Sequence, residues 1–179
     1  MVAASELIRS RQLGVTQRML ATPATTAQII AGEGLGRFAV AVLQGGFIVG
    51  ATALLFSLDW GSWPATAAIV GSFALVATAA AMFVGALVSN ESQSTAIGMA
   101  AGLAFAALGG CMVPFEVFPG WLRSRAHITP HAWAVDAFTE VIQRGGSVGQ
   151  IGLELAVLVS FGISLLVGAS ISLRRAIVG

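Results

Sequence analysis

Four stretches of the chain, Phe38 to Leu58, Trp60 to Asn90, Ser92 to Phe115 and Leu155 to Leu173, run without a single charged side chain. A helix needs about 20 apolar residues to cross a hydrocarbon core about 30 Å thick, so each stretch reaches or nearly reaches a spanning length. The pattern predicts spans at about 38–58, 65–89, 94–113 and 153–173. Asp59, Trp60, Gly61, Trp63 and Pro64 predict an interfacial hairpin between the first two spans. Asn90, Glu91 and Ser92 interrupt the second and third, with Ser94 or Thr95 placed to begin the third helix. The expected fold class is all-α: a polytopic membrane helical bundle with four full spans, outer re-entrant or interfacial helices over 114–152, and a helical N-terminal region over 1–37.

In that N-terminal region the pattern predicts a helix over Val2–Leu13, closed by Gly14 as a left-handed C-cap, then a short helix from Val15 that stops near Pro23. Thr25 or Thr26 can cap a further helix through Gln28, Ile29 and Leu35 that leads into the first span. Glu6, Arg9, Arg11, Arg18 and Glu33 interrupt this region, so it does not read as a signal peptide. Gly32, Gly34 and Gly36 do not make a phosphate loop, because no strand precedes them and no Lys-Ser/Thr follows.

Composition agrees with the membrane reading. Hydrophobic residues make up 56% of the 179 and charged residues 9%, against roughly 25% charged in soluble domains. Lysine is absent, and a net charge of +1 gives no reason to expect nucleic-acid binding. The arginines are unevenly placed: Arg9, Arg11, Arg18, Arg37, Arg174 and Arg175 fall on one side of a four-span topology, and Arg123, Arg125 and Arg144 on the other. The positive-inside rule then makes both termini cytoplasmic and the location a cell inner or plasma membrane. Trp60, Trp63, Trp121 and Trp133 would form an outer aromatic belt. Among the 22 glycines, Gly46-x-x-x-Gly50 and Gly98-x-x-x-Gly102 are candidate helix contacts. Cys111, the only cysteine, is expected to be buried and inert.

Candidate chemistry concentrates between the third and fourth spans. Gly109, Gly110, Pro114 and Pro119 cannot sit in one straight helix, so the stretch Gly109 to Trp121 is either a broken segment lining a vestibule or an ordinary loop outside the lipid. Ala132 to Gln143 reads as an amphipathic interfacial helix, with Asp136, Glu140 and Gln143 facing water and Trp133, Ala137 and Val141 on another face. His127 and His131 stand four apart and could join Glu116 or Asp136 around a metal, but Pro130 disturbs the helical register that this needs. Glu154 is placed to reach the outer interface from the start of the last span. No nucleophile elbow, zinc-protease motif or Walker A loop occurs, so no complete catalytic or ATP site is legible and no bound cofactor is expected.

Two segments together resemble the membrane subunits of type-2 ABC exporters, which move drugs, polysaccharides or lipid-linked material. The first is Arg11-Gln12-Leu13-Gly14-Val15-Thr16-Gln17-Arg18-Met19-Leu20-Ala21-Thr22-Pro23, similar to the cytoplasmic coupling helix that docks onto the ATPase. The second is Gly109 to Trp121 with Thr129-Pro130 and Trp133-Ala134-x-Asp136-Ala137-Phe138, similar to the outer re-entrant helices at the extracellular gate. The resemblance implies ATPase-coupling roles for Arg11, Gly14, Thr16, Arg18, Leu20, Thr22 and Pro23. It implies an outer gate of Gly109, Gly110, Pro114, Phe115, Glu116, Pro119, Trp121 and Pro130. It also implies three partners: an ABC ATPase subunit that uses the ATP, a second permease chain and membrane lipid. Against six-span members, the chain is expected to lack the first two helices. A non-transporting membrane scaffold, or a metalloenzyme built on His127, His131, Glu116 and Asp136, are the alternative functions.

Overall fold

A computed structural model describes Leu13, Pro23 and residues 25–178 except Ser89. The expected helices over 2–13 and from Val15 to Pro23 therefore lie outside the described residues, apart from Leu13 and Pro23 themselves. Six α-helices and one short 3-10 helix make up the described fold, and no strand occurs among the described residues. They are α1 (Thr26–Phe56), α2 (Trp63–Leu87), α3 (Glu91–Leu108), the 3-10 helix Phe115–Val117, α4 (Gly120–Ala126), α5 (Pro130–Arg144) and α6 (Gly152–Val178).

The start of α1 follows from its sequence. Thr25 is the N-cap, its hydroxyl accepting from the Gln28 N–H while the Gln28 side chain accepts from the Thr25 N–H, a reciprocal capping box. From there one unbroken helix of 31 residues, about 46 Å long, continues through the first uncharged stretch. Glu33 and Arg37, one turn apart, form an ion pair just before that stretch begins. α1 ends where Ser57 takes a left-handed conformation. The predicted hairpin follows: the Asp59 carboxylate accepts from the Gly61 N–H at 2.8 Å, and Pro64 occupies the first turn of α2.

α1, α2 and α6 are the three described helices long and apolar enough to cross a membrane. Close approaches fix their directions. Gly45 of α1 lies against Val70 and Gly34 against Met82, so α1 and α2 are antiparallel. Gly162 and Gly168 of α6 lie against Leu75 and Phe83, so α6 runs parallel to α2. Small residues permit this proximity in a bilayer, where packing has to replace the hydrophobic drive. Of the two predicted glycine pairs, Gly46 and Gly50 face open space; the contact is made one residue earlier, at Gly45.

The third predicted span takes a shorter form. α3 covers 18 residues from Glu91, capped by Asn90 rather than by Ser94 or Thr95, and stops at Leu108 instead of continuing to 113. The Asn90 side chain accepts from the Ser92 N–H at 2.9 Å. α3 returns the chain from the Leu87 end of α2 to its Trp63 end, because α5, which follows, packs on Ala65 and Ile69. That core joins Ala65 and Ile69 to Ala137, Val141 and Ile151, all fully buried, with Phe138 and Leu155 against them. A second cluster, Val76, Ala134 and Leu158, continues it deeper along α2 and α6.

Candidate functional site

The predicted gate segment folds as a compact cap on one end of the bundle. α3 closes with a Schellman motif: Gly110 adopts φ +81°, and the Cys111 N–H donates to the Ala106 carbonyl at 2.9 Å. Glycine is required there twice over, since a Cβ on Gly110 would lie 2.7 Å from the Phe115 ring. A Cβ on Gly109 would lie 2.3 Å from Cβ of His131, so this residue lets the end of α3 meet the start of α5. The two prolines then set the next elements. Pro114 precedes the 3-10 helix and Pro119 precedes α4, both in extended conformations that place the following turn. Pro130 occupies the first turn of α5, where its missing N–H leaves no donor unpaired.

Phe115, Ala126 and Ala132 form the buried centre of the cap, with Phe118 and Val135 packed around them. Phe115 contacts Phe118 edge to face at 5.5 Å and stacks on His127 at 6.0 Å. His127 is held from four sides. Its Nε2 lies 2.6 Å from Asp136 Oδ2, its Nδ1 lies 3.2 Å from the Arg123 carbonyl, and Trp133 packs edge to face on the ring at 5.0 Å. The indole N–H of Trp133 also donates to the His127 carbonyl at 2.8 Å, which joins the α4–α5 turn to α5. Thr129 completes the turn by donating to the Ala126 carbonyl at 2.8 Å.

The cap is also tied to the first hairpin. Trp60 packs edge to face on Phe138 and donates its indole N–H to Thr52 Oγ1 at 3.1 Å. Gly61, at φ +68°, passes so close to α5 that a Cβ would lie 2.5 Å from the Val141 carbonyl oxygen. Sequence reasoning placed Trp60 and the outer helix on the same side but not in contact. The signal was Gly61, legible only as a general preference for turns.

The gate residues named from sequence divide into two sets. Gly109, Gly110, Phe115 and Pro130 lie at the close contacts, with Phe115 and Pro130 buried. Pro114, Glu116, Pro119 and Trp121 are exposed, and Arg125 lies over the Trp121 ring at 5.7 Å. Four expectations change. Cys111 is exposed at the turn after α3, because the helix ends before reaching it. Asp136 pairs with His127 instead of simply facing water. His131 is not brought to His127 but lies between Phe73 and Phe105, and no cluster able to hold a metal occurs among the described residues. Glu154 Oε2 is shielded from solvent and has no hydrogen-bond partner among the described residues, so it does not reach freely to the interface.

His131 sits in an apolar setting, and burial there lowers its pKa below the ordinary histidine value. Its Nδ1 is buried without a hydrogen-bond partner among the described residues. Glu140 pairs with Arg144 at 2.7 Å on the exposed side of α5. Chemically, the cap's polar groups are used to lock its own turns together, which suits a rigid closing element.

The coupling residues named from sequence, Arg11, Gly14, Thr16, Arg18, Leu20 and Thr22, lie outside the described residues. Leu13 and Pro23, which flank most of them, are exposed.

Comparison with known proteins gives two matches. The profile of the family described as ABC-2 type transporter matches residues 1–142, which include both the segment expected from sequence to couple and nearly all of the cap. The chain is also 29% identical over 161 residues to the linearmycin resistance permease protein LnrN of Bacillus subtilis (strain 168). That alignment covers 90% of this chain and 42% of the relative. No solved structure matches the chain.

Proposed function

The chain belongs to the ABC-2 type transporter family, and from that premise we propose that it acts as a permease subunit of an ATP-driven exporter. In this reading the energy comes from a separate ATPase subunit that binds the ATP, and a second permease chain encloses the pathway. The observation that carries the proposal is the family match over residues 1–142, which takes in both the segment expected to couple and nearly all of the cap.

α3 is then the fourth crossing. Its 18 residues give about 27 Å of helix, close to the hydrocarbon thickness, and the chain has to return to the α5 end of α2 along it. The arginine bias supports a topology with both termini in the cytoplasm and the cap outside. ATP-driven closure of the ATPase would push on Gly14 to Thr25. The 46 Å length of α1, estimated at about 1.5 Å per residue, would carry that motion rigidly through the capped start at Thr25 to the hairpin under α5. Opening the pathway requires the cap to move as one body, since its turns are bonded to each other. The relative's name associates it with resistance, which favours a drug-type cargo over a polysaccharide.

The test is a double substitution, Arg18→Glu with Leu20→Asp, in the chain co-expressed with its ATPase. Membrane insertion is expected to persist while ATPase association and export fall to background. Unchanged association and export would reject the coupling assignment.

A further inference from the structure

The short helix α4 carries two arginines whose charges the fold leaves unanswered. Arg37 pairs with Glu33 and Arg144 with Glu140, each one turn away on its own helix. Arg123 and Arg125 are exposed and have no carboxylate partner among the described residues. Glu116 is the only acid between Gly109 and Thr129, and it pairs with neither of them. The Arg125 guanidinium lies over the Trp121 ring at 5.7 Å, a contact that uses none of its N–H donors. Large apolar side chains lie beside these charges: Val117, Trp121 and Ile128 are 68%, 63% and 74% exposed. Ala126 turns inward to the buried centre of the cap, which leaves Trp121 and Arg125, one turn apart, on the exposed side of α4.

Contacts with α2 set the depth of this surface. Gly61 lies against Val141 and Phe73 packs on His131, so α5 runs antiparallel to α2, toward its Trp63 end. His131 is level with Phe73, which stands about 15 Å along α2 from Trp63. Asp136 lies further along α5, about 7 Å nearer to that end, and it holds His127 at the close of α4. α4 therefore ends about 8 Å below the start of α2. The 25 residues of α2 give about 37 Å of helix and exceed a hydrocarbon core of about 30 Å by roughly 3–4 Å at each end. This puts the end of α4 within about one helical turn of the hydrocarbon edge.

Neither bulk phase suits such a surface. Water would leave three large apolar side chains uncovered, and hydrocarbon would leave two guanidinium groups unpaired. The boundary between them satisfies both. Arginine stems can lie along apolar surface while their heads reach outward, and guanidinium groups form strong charge-assisted bonds with phosphate. Tryptophan is enriched at the same level. We propose that the exposed face of α4 binds phospholipids of the leaflet on the cap's side, with Arg123 and Arg125 donating to headgroup phosphates. Trp121, Val117 and Ile128 then lie against the glycerol and upper acyl chains. The proposal rests on membrane placement alone, so it holds for either orientation of the chain and is independent of ATPase coupling.

The experiment measures lipid binding to the full chain in detergent by native mass spectrometry. Dioleoylphosphatidylglycerol is the probe, and dioleoylglycerol, which lacks the phosphate, is the reference. Arg125→Gln and Arg123→Gln should each weaken binding of the probe about five-fold, as expected for one basic side chain at a phospholipid surface, and the double variant by more. Arg123→Lys with Arg125→Lys, which keeps both charges, should retain most of the binding. Arg144→Gln, whose charge is already paired with Glu140, should leave it unchanged. Dioleoylglycerol should bind the arginine variants and the unsubstituted protein alike, whereas Trp121→Ala should weaken binding of both lipids. Unchanged binding of the probe by the double Arg→Gln variant, or equal loss of both lipids in it, would overturn the proposal. An equal loss in Arg144→Gln would do the same, because any surface charge would then serve. So would efficient disulfide crosslinking of Ser124→Cys, in a Cys111→Ser background, to another chain, because protein would then cover this face.

Discussion

The two ends of this bundle are built on opposite terms. At the capped end, backbones approach so closely that Gly61, Gly109 and Gly110 admit no side chain, and Trp60, Trp133, His127 and Asp136 bond neighbouring elements to one another. At the other end α1 touches α2 through Ile30 and Gly34 at Met82, while Gly32 and Gly36 face open space and the Thr78 hydroxyl is buried with no hydrogen-bond partner among the described residues. Burial also differs between the helices. Only 6% of the apolar window of α1 is buried, against 33% for α2. The lesson is that membrane helices alike in length and apolarity can play different parts, one a core element and the other a strut that leaves most of its surface to lipid or to other chains.

Matched substitutions break the comparison most directly. Gly109→Leu or Gly110→Val should destabilise the capped end by about 3 kcal/mol or more, through overlap with His131 and Phe115 and through the left-handed backbone at Gly110. Gly36→Ala, at the open end, should change stability by less than about 0.5 kcal/mol. Thermal unfolding in detergent, followed by tryptophan fluorescence, separates these cases; equal effects at both ends would erase the distinction.

Next in size is the core that seats the cap. Ile69→Ala removes a fully buried side chain between α2 and α5 and should cost about 2–5 kcal/mol if the site cannot collapse, toward the lower figure if it can. Hydrogen exchange should then rise in α5 before it rises in α1.

Acid sharpens the contrast. The folded protein holds the pKa of His131 below its unfolded value near 6.5, so the neutral ring is favoured by folding. The stabilisation from this group is fully present above about pH 6.5 and declines as pH falls through that value toward the lowered one, because the unfolded chain takes up the proton first. The melting temperature of the unsubstituted protein should therefore fall more between pH 7.5 and pH 5 than that of His131→Gln. Identical pH profiles would remove His131 from the account.

A local effect is expected at the start of α1. Thr25→Ala removes the capping box at the start of α1 and should cost about 1 kcal/mol, read as faster exchange of the amides over 26–30 with the cap unaffected.

Much of this architecture was legible because a bilayer leaves few choices. Runs without charge had to become helices, since unpaired backbone groups are costly in lipid, and three of the four predicted runs fold as long apolar helices close to their expected bounds. The Thr25 cap, the Asp59 hairpin and the Pro130 start of α5 are local effects, and local sequence was enough to place them. The end of the third run was misplaced, because continuous apolar character through Val113 concealed a stop imposed by the Gly110 conformation. Cys111 was misjudged for the same reason, as an apolar neighbourhood in sequence says nothing of which side of a helix end a residue falls on.

By itself, then, the sequence determined the class of solvent, the helical elements, and the presence of a broken segment after the third run. Tertiary structure decided which elements meet. It paired Asp136 with His127 and sent His131 to Phe73 and Phe105, although the two histidines are only four residues apart. It also buried the Thr78 hydroxyl without a partner among the described residues, while Thr52 and Ser72 closed onto their own helices. The physical reason is that helix formation and lipid exposure depend on near neighbours and composition, whereas pairings, voids and unpaired groups depend on how residues far apart in the chain share one space.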